Sequence, residues 1–266
     1  MTYSVFSELE YEVLVPTSFI FNLHVAKTRF QTILEESIDI SPNMEMSEFS
    51  SVDKESIFTK LHIEQKSNFK ISYRAIVEYT YLDQSNLLEN FSRPVNFINL
   101  DLEVLQYLYP SRYCQSDKLE KLASKEFGYI ANEYEKVQAI TQWIYNNVEY
   151  RMGSTNSNTS AIDTLSERVG VCRDFAHLAI AICRAASIPA RYFTCYAHNL
   201  ISPDFHACFE AYISGQWVLF DPTKLVPIEG LIKISSGRDA ADASVATILG
   251  EANCTSLKVE CTIISS

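Results

Sequence analysis

The sequence predicts an α+β protein, in which a mostly β first part is followed by helices and then by an antiparallel sheet. Two observations favour this class. The first hundred residues contain short runs rich in Val, Ile, Tyr and Phe with partial period-two alternation, which is typical of strands. Beyond residue 110, apolar residues recur at helical spacing, and strand-like runs return only near residue 190. Helices that precede strands, rather than alternate with them, indicate an α+β domain.

The first part, residues 1–107, is predicted to form a β-sandwich-like domain. Its candidate strands are residues 11–15, 70–81 and 95–100, and polar breaks such as residues 41–43 separate them. In the second of these strands, alternation places one apolar set on one side of the chain: Ile71, Tyr73, Ala75, Val77 and Tyr79.

The second part, residues 108–266, begins where Pro110 interrupts the chain. Helices are expected over residues 116–127, 132–147 and 171–187. The third helix has an apolar stripe, formed by Phe175, Leu178, Ala179, Ile182 and Ala186. Strands are expected over residues 190–197, 205–213 and 216–220. A short Ser214-Gly215 turn suits a hairpin between the last two.

Charge and composition exclude several classes of protein. The formal charge of −11 disfavours nonspecific binding to nucleic acid, because such binding depends on clustered Lys and Arg. No segment reaches the ~18–20 uninterrupted apolar residues of a membrane-spanning helix, and the first residues lack the features of a secretory signal. We therefore expect a cytoplasmic protein that binds neither nucleic acid nor membranes. Composition leaves its oligomeric state open.

Cys172 stands apart from the other cysteines of the chain. The seven cysteines show no CxxC spacing, so we expect no metal and no cofactor, and most of them are interpreted as buried thiols. Cys172 lies in the first turn of the third helix, where unpaired N–H groups and the helix dipole favour a thiolate. Cys183 lies about 16 Å further along the same helix and is interpreted as a packing residue.

The general base must come from another element. His177 is turned by about 140° around the helix from the nucleophile and cannot face it. His24 and His62 belong to the first part of the chain, which leaves His198 and His206 as candidates. A strand position holds His206 more rigidly than a loop holds His198. We therefore predict His206 as the base.

Asp221 is predicted to orient the imidazole and to stabilise its charged form. It ends the second strand of the hairpin that His206 begins. A tight turn would place Asp221 nearer Phe209 than His206, so the contact requires a bulge or a diagonal reach. The catalytic residues predicted from the sequence are therefore Cys172, His206 and Asp221.

Three stretches carry a family resemblance: TSAIDTL (159–165) running into RVGVCRDFAHL (168–178), HACFEAY (206–212) and WVLFDPT (217–223). Together they resemble the bacterial transglutaminase-like, or cysteine protease, family of the transglutaminase superfamily. The resemblance covers about residues 105–235. It implies a papain-like core in which Cys172, His206 and Asp221 form a catalytic triad, and it implies that residues 1–105 are the β-rich domain that often precedes such a core.

One position departs from the family pattern. Many relatives have a tryptophan two residues after the histidine, and this chain has Cys208. Period-two alternation puts Cys208 and Glu210 on the same strand face as His206. A second thiol can therefore line the site, or Cys208 can be a small core residue.

The expected chemistry is acyl transfer at amide bonds of a protein or peptide substrate, through a thioester on Cys172. The backbone N–H of Cys172 is a candidate oxyanion donor, and the second donor stays open. Arg173 and Asp174 are assigned to local structure, as a cap interaction or an ion pair. The sequence does not choose among protease, deamidase and transglutaminase.

Two alternatives remain. A non-catalytic protein could keep this fold as a binding module or scaffold, although such proteins usually lose a triad member. A structural zinc protein could use Cys172, Cys195, Cys208 and His206, although these residues lack the short spacing of zinc ligands.

Overall fold

The computed structural model describes residues 1–51, 54–80 and 100–265. The strands of the first part are β1 (Thr2–Val13), β2 (Thr17–Phe21), β3 (Gln31–Ser41), β4 (Met46–Ser50), β5 (Ile57–Ile63) and β6 (Ser67–Tyr79). The middle of the chain contains α1 (Leu102–Leu105), α2 (Glu120–Phe127), α3 (Glu133–Asn147), β7 (Glu149–Tyr150), α4 (Ala161–Glu167), β8 (Val169–Gly170) and α5 (Cys172–Ala185). The last part contains β9 (Ala190–Ala197), β10 (His206–Ile213), β11 (Gln216–Phe220), β12 (Leu231–Gly237), α6 (Ala240–Ala243), β13 (Ala246–Leu249) and β14 (Ala252–Ser265).

Two four-stranded sheets, ordered β14-β1-β6-β3 and β13-β2-β5-β4, form the predicted sandwich. Their facing side chains share one apolar core. At its centre the rings of Tyr11, Phe19, Phe21 and Phe69 pack with centroids 5.0–6.2 Å apart. Alternation along β1 and β6 buries every second side chain, as a sheet with one solvated face requires.

The three strands predicted for the first part agree with the structure to different extents. The run at 70–81 corresponds to β6, and its Ile71, Tyr73, Ala75 and Val77 all face the core. The run at 11–15 includes the end of a longer strand, since β1 extends from Thr2 to Val13. Pro16, which has no N–H to donate, lies between β1 and β2. Of the run at 95–100, residues 95–99 lie outside the described residues.

A further antiparallel sheet, β11-β10-β9-β12, packs against α5. The predicted strands at 190–197 and 216–220 are β9 and β11, and β10 begins at His206. Helix α5 is buried on every side from Asp174 to Arg184, beyond the single stripe expected, because helices and sheet enclose it together. This central position holds its N-terminus at a fixed place beside the sheet.

Helices α2 and α3 match expected segments with small changes at their ends, whereas α1, α4 and α6 were not predicted. Asn132 caps α3 by accepting from Glu135 N at 3.0 Å. The segment expected as a helix from 116 is divided, because a 3-10 turn (Ser116–Lys118) ends at Leu119 before α2 begins. Within the described ranges, no helix is long and apolar enough to cross a membrane.

The last two strands return to the sandwich. β14 pairs with β1 from Val13 to Thr2, and β13 pairs with β2. The sandwich is therefore built from both ends of the chain, and its sheets do not follow the predicted division into residues 1–107 and 108–266. As a boundary between independently folding units, that division stays a prediction.

Candidate active site

The N-terminus of α5 is held by a network around Asp174. Its Oδ2 accepts from the backbone N of Val171 at 2.9 Å and from Thr155 Oγ1 at 2.6 Å. Its Oδ1 accepts from Arg173 Nη2 at 2.9 Å. The cap interaction and the ion pair expected for these residues are both present. They fix Cys172 as the first residue of the helix, with its side chain half-buried.

A short parallel pair, β7 with β8, brings a tyrosine beside the thiol. Tyr150 pairs with Gly170, two residues before Cys172. The Tyr150 hydroxyl lies near Cys172, whose backbone N–H and thiol both influence its pKa, and it donates to Met152 Sδ at 3.9 Å. Burial, the charge of an ionised Cys172 and this thiol contact raise the pKa of Tyr150 to about 12, although the backbone N–H opposes the rise. Tyr150 was not predicted from the sequence, because no local pattern indicates that β7 and β8, each of two residues, pair with one another.

The β10–β11 hairpin keeps a regular register. Its two turn residues have φ values of 50° and 87°, as a type I′ turn requires. Phe209 pairs with Phe220, so Asp221, the next residue, lies nearer Phe209 than His206 in the register, as expected. The reach to His206 is diagonal and needs no bulge.

His206 and Asp221 form a buried pair, exposed by 1% and 5%. His206 Nε2 lies 2.9 Å from Asp221 Oδ2. Asp221 Oδ1 accepts from the backbone N and the Oγ1 of Thr223, at 2.8 and 2.7 Å. The carboxylate is thus held on both oxygens. Since Nε2 is committed to Asp221, Nδ1 is the ring nitrogen that remains for the Cys172 thiol, which lies close enough to raise the pKa of this imidazole.

The pKa of His206 lies well above 6.5. Burial lowers it, whereas an ionised Cys208 and hydrogen bonds with Asp221 and Cys172 raise it by more. Cys208 itself stays protonated at neutral pH, because burial raises the pKa of its thiol well above 9.0. We therefore ascribe the raised pKa of His206 to the carboxylate of Asp221.

The other two histidines considered for the second part lie elsewhere. His177 is buried between Tyr113 and Tyr192, and its Nε2 accepts from the backbone N of Ala240 at 3.1 Å. Burial lowers the pKa of His177 to about 3, so it stays neutral. The His198 ring lies beside the sandwich, with Nδ1 3.0 Å from the Cys261 carbonyl oxygen.

Among the described residues, one group offers three potential metal ligands. The donor atoms of His206, Cys208 and Asp221 lie within 4.8 Å of one another, all buried. Nitrogen, sulfur and oxygen donors suit zinc. Both oxygens of Asp221 are already hydrogen-bonded, however, and the set differs from the four residues of the zinc alternative. Cys208 is fully buried and packs with Cys195 in one apolar cluster, which makes it a core residue that touches the site.

A cavity of about 840 Å³ lies between α3 and the segment after β11. Asp221 and Leu219 line it on one side, and Gln142 and Lys224 on the other. Cys172 is not part of its lining. This cavity therefore borders the carboxylate of the pair and not the thiol.

Comparison with known families matches both parts of the chain. Residues 121–222 match the transglutaminase-like superfamily, and residues 1–102 match the bacterial transglutaminase N-terminal domain. The crystal structure of a "putative cysteine protease" from Cytophaga hutchinsonii is 55% identical, with a TM-score of 0.94 over 100% of this chain and 91% of that one. The chain belongs to this transglutaminase-like family, and its core has the papain-like fold.

Curated relatives include uncharacterised bacterial proteins. One from Mycobacterium leprae is 31% identical over 151 residues, which are 53% of each protein. One from Mycobacterium tuberculosis is 35% identical over 143 residues, which are 48% of this chain and 45% of that protein. The chain thus matches about half the length of these relatives.

Proposed function

We propose that the protein is a cysteine-dependent amide hydrolase or acyltransferase, with Cys172 as nucleophile, His206 as general base and Asp221 as the orienting residue. One observation carries the proposal: a buried His206–Asp221 pair stands against a half-exposed thiol at a helix N-terminus. A nucleophile next to a base that a third group orients is the arrangement used for covalent catalysis on carbonyls.

The first half-reaction forms a thioester. His206 Nδ1 takes the proton of the Cys172 thiol, and the sulfur attacks the carbonyl carbon of a peptide or side-chain amide. The tetrahedral intermediate collapses when its C–N bond breaks, and the imidazolium returns the proton to the departing amine or ammonia. Asp221 stabilises the imidazolium in this interval, consistent with the raised pKa of His206.

The second half-reaction releases the acyl group. Water or a primary amine gives a proton to His206 and attacks the thioester, and the Cys172 thiol is restored. Water acting on a backbone acyl group makes the protein a protease, and water acting on a glutamyl group makes it a deamidase. A lysine acceptor makes it a transglutaminase. The substrate in each case is a peptide or protein.

Two donors are proposed for the oxyanion. The backbone N–H of Cys172 lies at the attacking residue itself, and the hydroxyl of Tyr150 lies near the same residue. A carbonyl oxygen placed between these two groups would accept from both. Donors fixed in place before the reaction cost little reorganisation, which is why they stabilise developing charge well.

The acceptor is identified by incubating the protein with glutamine-containing peptides, with and without a primary amine, and analysing the products by mass spectrometry. Amine incorporation with ammonia release identifies a transglutaminase. Ammonia release alone identifies a deamidase, and chain cleavage identifies a protease. Cys172→Ala is the control and should abolish each product. If none of the three products forms and no acyl-enzyme accumulates on Cys172 with any peptide, the proposal fails in favour of a non-catalytic scaffold.

A further inference from the structure

A second cavity, of about 700 Å³, lies on the same sheet face as the His206–Asp221 pair. The segment from Lys27 to Gln31 forms one wall. The other walls come from the core sheet, through Phe193, Trp217 and Leu231. This cavity thus lies where the sandwich meets the core sheet.

Buried charges occupy its inner end. Arg191, which is 8% exposed, donates from Nε to Glu210 Oε2 at 2.5 Å. Its Cζ lies 4.2 Å over the ring of Trp217. Lys233, which is 6% exposed, lies 3.5 Å from the same Glu210 oxygen and 3.2 Å from Glu55 Oε2. The guanidinium is therefore fixed on one edge by Glu210 and on one face by Trp217.

Among the described residues, the outer edge of this guanidinium meets no hydrogen-bond partner. In the part of the chain that the structure describes, the side-chain hydrogen bonds of Arg191 use Nε alone. Both Nη atoms of Arg191 retain contact with solvent, because the buried side-chain atoms that lack a hydrogen-bond partner do not include them. Two parallel Nη–H donors held in one plane match the two oxygens of a carboxylate.

The charge balance of the lining favours an anion. Among the described residues of the lining, four cationic side chains, Arg191, Lys233, Lys27 and Arg29, face two carboxylates, Glu55 and Glu210. Lys27 and Arg29 are exposed and lie at the rim. The chain as a whole has a formal charge of −11, so its remaining surface repels anions. An anion would therefore be attracted to this cavity and not to the rest of the surface.

We propose that this cavity binds a carboxylate, with Arg191 as the bidentate partner and with the apolar walls around Phe193, Trp217 and Leu231 against the body of the ligand. Glu210 is four residues beyond His206 on β10, which is about 13 Å along the strand. Four residues of an extended peptide are the minimum that spans this distance, because the buried Cys208 fills the straight route along the strand face. The carboxylate can therefore come from an acidic substrate residue or from a free small molecule.

Direct binding is measured in a protein that carries Cys172→Ala, which removes any dependence on catalysis. Trp143→Phe leaves Trp217 as the remaining tryptophan of the two in the chain. We expect N-acetyl-L-glutamate to change the Trp217 fluorescence in a saturable way, and N-acetyl-L-glutamine to bind at least tenfold more weakly.

Two variants assign the site. Arg191→Lys keeps the charge that pairs with Glu210 but removes the fork, and it should weaken binding about tenfold. Arg29→Gln, at the exposed rim, should weaken it about twofold and reduce its salt dependence. Arg74→Gln is the matched control, since Arg74 is also an exposed arginine over a phenylalanine ring but is not part of the lining. Equal responses to both probes, or unchanged binding in Arg191→Lys, would overturn the proposal.

The source of the carboxylate is resolved with catalytically active protein, and this arm rests on the proposed function. Two peptides differ only in Glu or Gln, placed four residues from the reactive amide. A lower KM for the Glu peptide, lost in Arg191→Lys with kcat unchanged, assigns the cavity to substrate recognition. Equal KM values together with N-acetyl-L-glutamate binding assign it to a free carboxylate. Absence of turnover removes the proposed function alone, because the fluorescence result is independent of it.

Discussion

At the residue scale, the candidate site divides its tasks among groups in different environments. Cys172 is only partly buried, whereas His206 and Asp221 are almost completely buried. Burial strengthens their mutual interaction because little water screens it. The partly exposed Cys172 is thus the group that must contact the substrate, and the buried Asp221 stabilises the charged form of His206.

The pair predicts a pH dependence with a definite sign. Because the folded-state pKa of His206 lies above 6.5, its charged form stabilises the fold. That contribution is fully present below about pH 6.5, the unfolded value, and it is lost as pH rises through the folded pKa. We expect Asp221→Asn to lower the pKa of His206 in an NMR titration and to flatten this part of the stability profile. A His206 pKa unchanged by the substitution would contradict our assignment of its cause.

The hydroxyl of Tyr150 gives a second prediction. Tyr150→Phe removes the hydroxyl near Cys172 and keeps the ring that packs against Phe175. If the hydroxyl is an oxyanion donor, kcat should fall by about 10²-fold, the usual effect of losing one such donor, with little change in KM. Steady-state kinetics measure this. Tyr145→Phe, at an exposed position of α3, is the control, and an equal effect in both variants would remove the role.

At the element scale, local patterns predicted more than long-range pairings did. The apolar periodicity of α5 placed Cys172 at a helix N-terminus, and the Ser214-Gly215 turn predicted the hairpin correctly, because both are set by nearby residues. The β7–β8 pair was not predictable, since Tyr150 and Gly170 are brought together by the whole fold. For the same reason the sequence showed no sign that the last strands join the first sheet.

Gly170 tests how the β8–α5 junction supports the site. A Cβ added there would lie 2.7 Å from the Cβ of Asp174, which cannot move without breaking its bond to Val171. We expect Gly170→Ala to lower the free energy of unfolding by about 1–3 kcal/mol, measured by urea denaturation, and to slow alkylation of Cys172. Ser166→Ala is the control, since Ser166 is exposed on α4. Equal stability losses in both variants would contradict this account.

At the scale of the whole molecule, the first and last strands close the sandwich together. β1 lies between β6 and β14, so its hydrogen bonds are satisfied on both edges. The cavity that we propose for a carboxylate also depends on both parts, because the sandwich and the core sheet each supply one wall.

Removing β14 should therefore destabilise the whole sandwich, and not only the region around the last residues. Deletion of residues 252–266 exposes β1 as an unpaired edge and uncovers part of the core near Val259 and Cys261. We expect a clearly lower Tm and concentration-dependent association, measured by calorimetry and light scattering. Deletion of residue 266 alone is the control. A truncated protein as stable and monodisperse as this control would show that the pairing contributes little.

The most direct test of the central claim is the reactivity of Cys172. Its design follows from the structure, in which Cys254 is the other accessible thiol among the described cysteines. In a Cys254→Ser background, a chloroacetamide-bearing peptide should label Cys172 selectively, and His206→Asn should slow that labelling by at least tenfold while the fold is kept. Labelling that spreads equally to Cys183, or a Cys172 rate that is the same with and without His206, would contradict the proposed triad.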